Sequence, residues 1–299
     1  MGEKNRTFDS SHTEADDFLD AAPVPEDWGG DGRGRMNLSG RCTASKEYVP
    51  RQYQFFDTNA VSEQQGWRVS GMPENVVSGR RRLLTWHECG ASTSRVFLPR
   101  EFEAPPGIFT ADLEIFVLRG AIQLGEWQLS KHGYSFIPVG VRVGPWKVLG
   151  SEEAEILWME NGPVPLRYEQ AQSDRPGARI GDFIPALDSK LLPWGKTDTG
   201  QFEVAKKKWL RKDSNGGGVW LLAILPHYDG RHPEIQCYNE EGYCLTGYCD
   251  IGDYQFVKDH FAYCPSFCTV PRHRTDDGSL FFVRVDRDLS KLGTVLSYA

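Results

Sequence analysis

The chain has 299 residues, 25% charged and 39% hydrophobic, with 41 acidic against 34 basic side chains and a net charge of −7. That balance permits packed cores, excludes global disorder and disfavours bulk electrostatic affinity for nucleic acid or an anionic membrane. No apolar run approaches the ~20 residues of a membrane helix, and the seven cysteines lack a CxxC pair, which fits reduced thiols better than a disulfide framework. With no apolar signal core near Met1, the expectation is a cytoplasmic protein without nucleic-acid or membrane partners.

Residues 1–58 read as a polar, acidic and then glycine-rich arm, with an edge strand where Tyr53, Phe55 and Phe56 cluster. Further on, Arg80-Arg81-Arg82 and Lys206-Lys207-Lys208 are short basic runs, expected as solvated strand or loop faces. Short runs such as EIFVLRG, AIQLGEWQL, YSFIPVG, GVWLLAILP and SLFFVRVD are rich in β-branched and aromatic residues and are punctuated by Gly, Pro or Asp. Helical periodicity is scarce. The spacing of these runs points to an all-β sandwich or barrel, with residues 163–186 as a proline-bearing linker and a short helix around 185–191.

An internal repeat sets the organisation. Leu98-Pro99 recurs as Leu225-Pro226, 127 positions later. At the same shift Trp67 meets Trp194, Pro106 meets Pro233, Glu114 meets Glu241, and Gly120 and Gly125 meet Gly247 and Gly252. About a dozen identities fall within about 46 aligned positions, and they include turn residues as well as apolar ones, which marks a duplication. The copies differ in chemistry. Leu225–Gly247 carries His227, His232, Glu234, Glu240 and Glu241, whereas Leu98–Gly120 has no histidine.

These residues resemble the cupin superfamily, whose first motif runs approximately G-x5-H-x-H-x3,4-E-x6-G and whose second runs G-x5-P-x-G-x2-H-x3-N. Glu114–Gly120 is similar to the end of the first motif and Gly133–Gly140 to the start of the second; His232, Glu234, Glu240, Gly247 and Pro265 are similar to the same motifs in the second copy. The resemblance covers roughly residues 60–290 and is nearest to two-domain proteins with ChrR-like cupin modules. It implies two tandem double-stranded β-helix (jelly-roll) barrels, at 59–162 and 187–299, and pairing into a homodimer.

Carried over position by position, the metal slots of the first copy fall on Pro105, Gly107, Leu113 (or its neighbour Glu114) and Val143, none of them a histidine. In the second copy they fall on His232, Glu234, Glu240 (or Glu241) and Val270, with His273 three residues beyond the last. Alternation would turn His273 to the opposite face from Val270 unless Pro271 interrupts the strand. The resemblance thus implies His232, Glu234, Glu240 and His273 as ligands of one divalent Fe, Mn or Zn ion, with His232, Glu234 and Glu240 as the catalytic groups. The competing reading is ordinary polar chemistry at a barrel opening.

Two functions remain open on these grounds. One is an enzyme performing oxygenase, isomerase or lyase chemistry on a small carbonyl, enol or acid substrate in the second barrel. The other is a non-catalytic bicupin that binds a small molecule, senses or assembles, having lost metal chemistry. Of the remaining candidates, His227 reads as a surface residue, His260 as structural or pocket-lining, and the coincident Glu114 and Glu241 as scaffold groups. His87 and Cys89 show no partner in the sequence, and the other cysteines read as small buried hydrophobes.

Overall fold

The β-branched and aromatic runs form strands throughout, and the helical turns among the described residues of the computed structural model are two short 3-10 segments. The structure describes residues 53–86, 91–162, 166–196, 205–213, 217–230, 234–236, 239–265 and 268–285, with only the backbone at 196, 234–236 and 268–269. The arm at 1–52, including the greater part of the expected 1–58 segment, lies outside them. No helix among the described residues is long and apolar enough to cross a membrane.

The chain divides into two compact units, residues 60–193 and residues 1–59 with 194–299. Strand β1 (Gln54–Asp57) precedes the first unit. That unit then holds β2 (Glu63–Trp67), β3 (Gly79–Trp86), β4 (Ser92–Leu98), β5 (Glu103–Ala104), β6 (Gly107–Phe109), β7 (Asp112–Arg119) and β8 (Ala121–Leu124). It continues with β9 (Trp127–Ser130), β10 (Gly133–Ile137), β11 (Arg142–Val143), β12 (Trp146–Leu149), β13 (Ala154–Asn161), β14 (Tyr168–Gln170) and β15 (Ile184–Asp188). The main sheet runs β15-β10-β7-β13-β4-β3-β2, and the shorter sheets are β5-β12-β8-β9 and β11-β6-β14. Period-2 alternation sends Leu113, Ile115 and Val117 of β7 and Ile156 and Trp158 of β13 into one core with Phe109, Leu124 and Trp146. Trp146 stacks on Trp158 at 5.6 Å and 16°, so aromatic rings fill this interior.

The second unit holds β16 (Gly195–Lys196), β17 (Ala205–Lys212), β18 (Gly218–Ile224), β19 (Tyr228–Asp229), β20 (Glu234–Gln236) and β21 (Glu240–Ile251). It ends with β22 (Tyr254–Val257), β23 (His260–Cys264), β24 (Cys268–Val270), β25 (His273–Thr275) and β26 (Ser279–Val285). The path β1-β23-β21-β26-β18-β17-β16 repeats the order of the first unit strand for strand. Gly120 and Gly247 adopt φ of +74° and +76°. A Cβ at these positions would lie 2.9 Å from the Glu153 carbonyl oxygen and 2.2 Å from that of Gly278. Backbone crowding therefore explains that identity between the copies.

The two units complete their sheets from different ends of the chain. β15, which follows the first barrel, pairs with β10, whereas β1, which precedes it, pairs with the equivalent β23. The expected linker at 163–186 instead supplies β14 and the start of β15, and the unit boundary falls after residue 193. The helix expected around 185–191 is instead β15 followed by a 3-10 turn, Ser189–Leu191, whose entry is capped by the Asp188 carboxylate accepting from the Lys190 N–H at 2.9 Å. Pro185 is tolerated because β15 is an edge strand with a register shift beside it.

The basic runs are also less solvated than expected. Arg80 and Arg82 lie 4.7 and 5.6 Å from the centroid of the Phe97 ring and pair with Glu63 at 3.1 and 3.3 Å. Lys207 and Lys208 are only 5% and 8% exposed, because successive residues of β17 enter opposite faces of a sheet covered on both sides.

Candidate functional site

Cross-strand register places the motif positions. In the second barrel Glu234 lies directly opposite Val270, and in the first Gly107 lies opposite Val143. The second and last slots of the two copies therefore occupy the same ladder. In the first barrel Leu113 and Val143 are buried in the core, and none of Pro105, Gly107, Leu113 and Val143 has a donor side chain. Glu114 faces away from that core; its carboxylate accepts from the Tyr134 hydroxyl at 2.5 Å and from Asn161 Nδ2 at 2.7 Å. This is the scaffold role expected of it. Its counterpart Glu241 is 2% exposed and accepts from Arg284 Nη1 at 2.9 Å.

Glu240 has a different setting. It stands opposite Val285 on β26, and Gly242 stands opposite Val283, while Val283, Val285 and Cys244 belong to the core of the second barrel. Residues 240, 242 and 244 therefore share the inner face, and 241 and 243 the outer. The choice left open by the motif spacing resolves to Glu240 on the inner face.

His273 is on the core side as well. β24 ends at Val270, and β25 begins afresh at His273 after Pro271-Arg272, so alternation is not continuous between them. His273 stands opposite Ile251, a core residue, as its counterpart Trp146 stands opposite the core residue Leu124. His273 is half-buried, and desolvation pushes its imidazole down to about 4, which keeps it neutral with a lone pair to donate near neutral pH.

The structure thus brings Glu240 and His273 to the inner face and places the Glu234 backbone in its slot. His232, like His87 and Cys89, lies outside the described residues. Among the described residues no three His, Cys, Asp or Glu side chains come together. A carboxylate and a neutral imidazole on one inner face are donors that suit a divalent transition ion, although Val270 adds none. His227 is exposed in a turn at φ +62°. His260 is half-buried with Nδ1 2.9 Å from the Tyr254 hydroxyl, and burial lowers its pKa. Burial pushes the Cys244 and Cys249 thiols up to about 12, so both act as packing groups.

The distribution of bulk separates the two interiors. Where the first barrel has Leu113, Ile115 and Trp158, the second has Glu240, Gly242 and Val283 in the same register. Its large rings sit farther along the sheet, at Trp220 opposite Val283 and at Trp209 opposite Trp220. Their first-barrel counterparts are Ser94 and Leu83. Side chains beside Glu240 are thus small where the first barrel carries Trp158. Sequence reasoning missed the group formed by Lys207, Trp209 and Trp220, although the alternation Ala205, Lys207, Trp209 within AKKKWLRK was a usable signal.

Comparison with known proteins bears on the fold and the family. A family model described as a domain of unknown function (DUF4437) matches residues 57–292. A Nostoc punctiforme protein, provisionally described as a dioxygenase, is 77% identical over 94% of this chain and 99% of its own, with a TM-score of 0.84. A variant of Bacillus subtilis oxalate decarboxylase is 11% identical over 88% of this chain and 89% of its own, with a TM-score of 0.54. Salicylate 1,2-dioxygenase from Pseudaminobacter salicylatoxidans is 10% identical over 69% and 76%, also at 0.54. These two similarities show the fold alone, the jelly roll of the cupins. No curated protein matches the chain. The match over most of the chain and the 77% identical relative make the chain a member of the DUF4437 family.

Proposed function

We propose that the protein is a metal-dependent oxygenase of dioxygenase type acting on a small organic molecule in its second barrel. The observation that carries this reading is the inner-face placement of Glu240 and His273 beside the small residues Gly242 and Val283, where the first barrel has Leu113, Trp146, Ile115 and Trp158, and where its own acid, Glu160 opposite Leu113, is held by the Trp158 indole N–H at 3.0 Å. The 77% identity to a protein provisionally described as a dioxygenase supports the reaction class. His232, Glu234, Glu240 and His273 are the residues that would hold a divalent Fe, Mn or Zn ion. Such an ion would polarise a substrate oxygen and, if iron or manganese, supply redox chemistry with dioxygen.

The chain's own contribution is positioning. Glu240 brings a carboxylate to the inner face, and desolvation keeps the half-buried His273 neutral there. Trp209 and Trp220 exclude water from the neighbouring part of the sheet. The first barrel serves as a scaffold. Localisation in the cytoplasm, pairing into a homodimer and membership of the ChrR-like subgroup belong to the same proposal.

Metal analysis and oxygen-uptake assays on the purified chain test it. The reading predicts about one Fe or Mn ion per chain, with oxygen consumption dependent on that ion and on Glu240. A metal-free protein inert towards oxygen after reconstitution would favour the non-catalytic reading, which the apolar Val270 in the last slot otherwise supports.

A further inference from the structure

The inner face of the first barrel carries a polar row of its own. Register sets Trp86 opposite Ser92, Ser92 opposite Glu160, and Glu160 opposite Leu113. The next row is Leu83, Ser94 and Trp158, and the one after it Arg81, Val96 and Ile156. Val96, Ile156 and Trp158 belong to the core, so alternation puts all three rows on the inner face, and the register shift between Leu83 and Thr85 keeps Trp86 there. Two serines of β4 thus lie between larger side chains of β3 and β13, strands two spacings or roughly 10 Å apart. In the second barrel the same two places hold Gly218 and Trp220, so an indole stands where Ser94 stands here.

The groups around the serines are complementary in kind. Glu160 is half-buried, and its carboxylate accepts from Trp158 Nε1 at 3.0 Å. Burial raises its pKa, an effect that the Trp158 N–H, the Arg81 charge, the Leu166 backbone and the Ser92 side chain offset only in part. Arg81 donates to the Gln64 side chain at 2.9 and 3.2 Å. Ser94 is fully buried, and its hydroxyl has no hydrogen-bond partner among the described residues, a cost that a ligand group would remove. Trp86 and Leu83, by contrast, are 63% and 39% exposed. An ionised carboxylate only accepts, a guanidinium only donates, and a serine hydroxyl does both; a ligand bearing several hydroxyl groups satisfies all three. Glu160 disfavours an anion here and Arg81 a cation. The exposed indole suits the C–H face of a ring.

We propose that the first barrel, a scaffold for the reaction in the second, binds a neutral polyhydroxylated ring, a monosaccharide or cyclitol, between Trp86 and Glu160, with Ser94 and Arg81 as further partners. This goes beyond the oxygenase reading and does not depend on it.

The test is calorimetric titration of the full chain with myo-inositol and with glucose and galactose, each sugar beside its uronate and its amino sugar. At least one of the three neutral rings binds in the millimolar range, and where a sugar binds, its two ionic counterparts bind more weakly. Trp86→Ala lowers the affinity about fivefold or more, as expected from the loss of one stacking face, with melting temperature and metal content unchanged. Ser94→Ala also weakens binding but does not destabilise the fold, because the hydroxyl it removes is buried and unpaired. Absence of binding by all three neutral rings at tens of millimolar, unchanged affinity in Trp86→Ala or in Ser94→Ala, or tighter binding of an ionic counterpart overturns the proposal.

Discussion

Glu240 and Glu241 are neighbours in the chain and face opposite sides of one sheet: Glu240 stands across from Val285 and Glu241 from Arg284. The two carboxylates have correspondingly different tasks. Glu241 and Arg284, 2% and 1% exposed, form a buried ion pair. Removing one partner leaves a buried charge uncompensated, at a cost of about 3–5 kcal/mol, whereas replacing both with apolar side chains of similar volume is far milder. Glu241→Gln and Arg284→Met should each lower the melting temperature sharply, and Glu241→Leu combined with Arg284→Met should recover most of the loss. Glu240→Gln should leave melting almost unchanged. Thermal unfolding followed by circular dichroism distinguishes the three outcomes.

The duplication, the all-β class and the turn glycines were legible in the sequence because backbone geometry admits few residues at places such as Gly120 and Gly247. The inner face of the second barrel was not. Three consecutive lysines look solvated by composition, and only the pairing of β17 with β18 shows Lys207 turned inward beside Trp220. The face of His273 stayed open in the sequence, between unbroken alternation from Val270 and an interruption at Pro271, and only the end of β24 at Val270 and the fresh start of β25 at His273 decide it. The role of β1 depends on β23, some two hundred residues further along the chain, a distance at which sequence pattern carries no register.

The contrast in packing predicts opposite effects of size changes in the two barrels. Trp158 is fully buried against Trp146, Phe109 and Trp67. Trp158→Ala should cost about 3–5 kcal/mol of stability, while the metal content of the reconstituted chain stays unchanged if the chain is folded. Val283→Trp, which introduces first-barrel bulk beside Glu240, should sharply reduce metal uptake. Denaturation and elemental analysis on the two variants read both effects.

β1 completes the second barrel's main sheet, and Phe55 stacks between Tyr53 at 4.2 Å and Tyr254 at 4.6 Å. Removing residues 1–59 should bare the β23 edge and drive association through unpaired strand groups. Phe55→Ala should keep the edge paired and cost about 1–3 kcal/mol. Light scattering separates the two: aggregation for the truncation, a dispersed but less stable protein for Phe55→Ala.

His132 offers a test of pH dependence within the first barrel, whereas the candidate ligands belong to the second. It sits at φ +68°, stacks on Phe116 at 5.8 Å, and its pKa is lowered, first by burial and then by Lys131 and Lys190. A folded-state pKa below that of the unfolded chain means that the unfolded state takes up the proton first. The stabilisation is complete above about pH 6.5 and is lost as pH falls through the folded value. His132→Asn, which tolerates the left-handed backbone, should flatten this part of the stability profile. Urea midpoints measured across mildly acidic pH should therefore fall more steeply for the unmutated chain than for the variant.

The central claim is that chemistry resides in the second barrel through Glu240. Its most direct test is elemental analysis of the purified, iron- or manganese-reconstituted chain beside Glu240→Ala and Glu114→Gln. The account predicts about one tightly held ion per chain, lost in Glu240→Ala and retained in Glu114→Gln. Metal retained in full by Glu240→Ala, or absent from the unmutated chain after reconstitution, would contradict it.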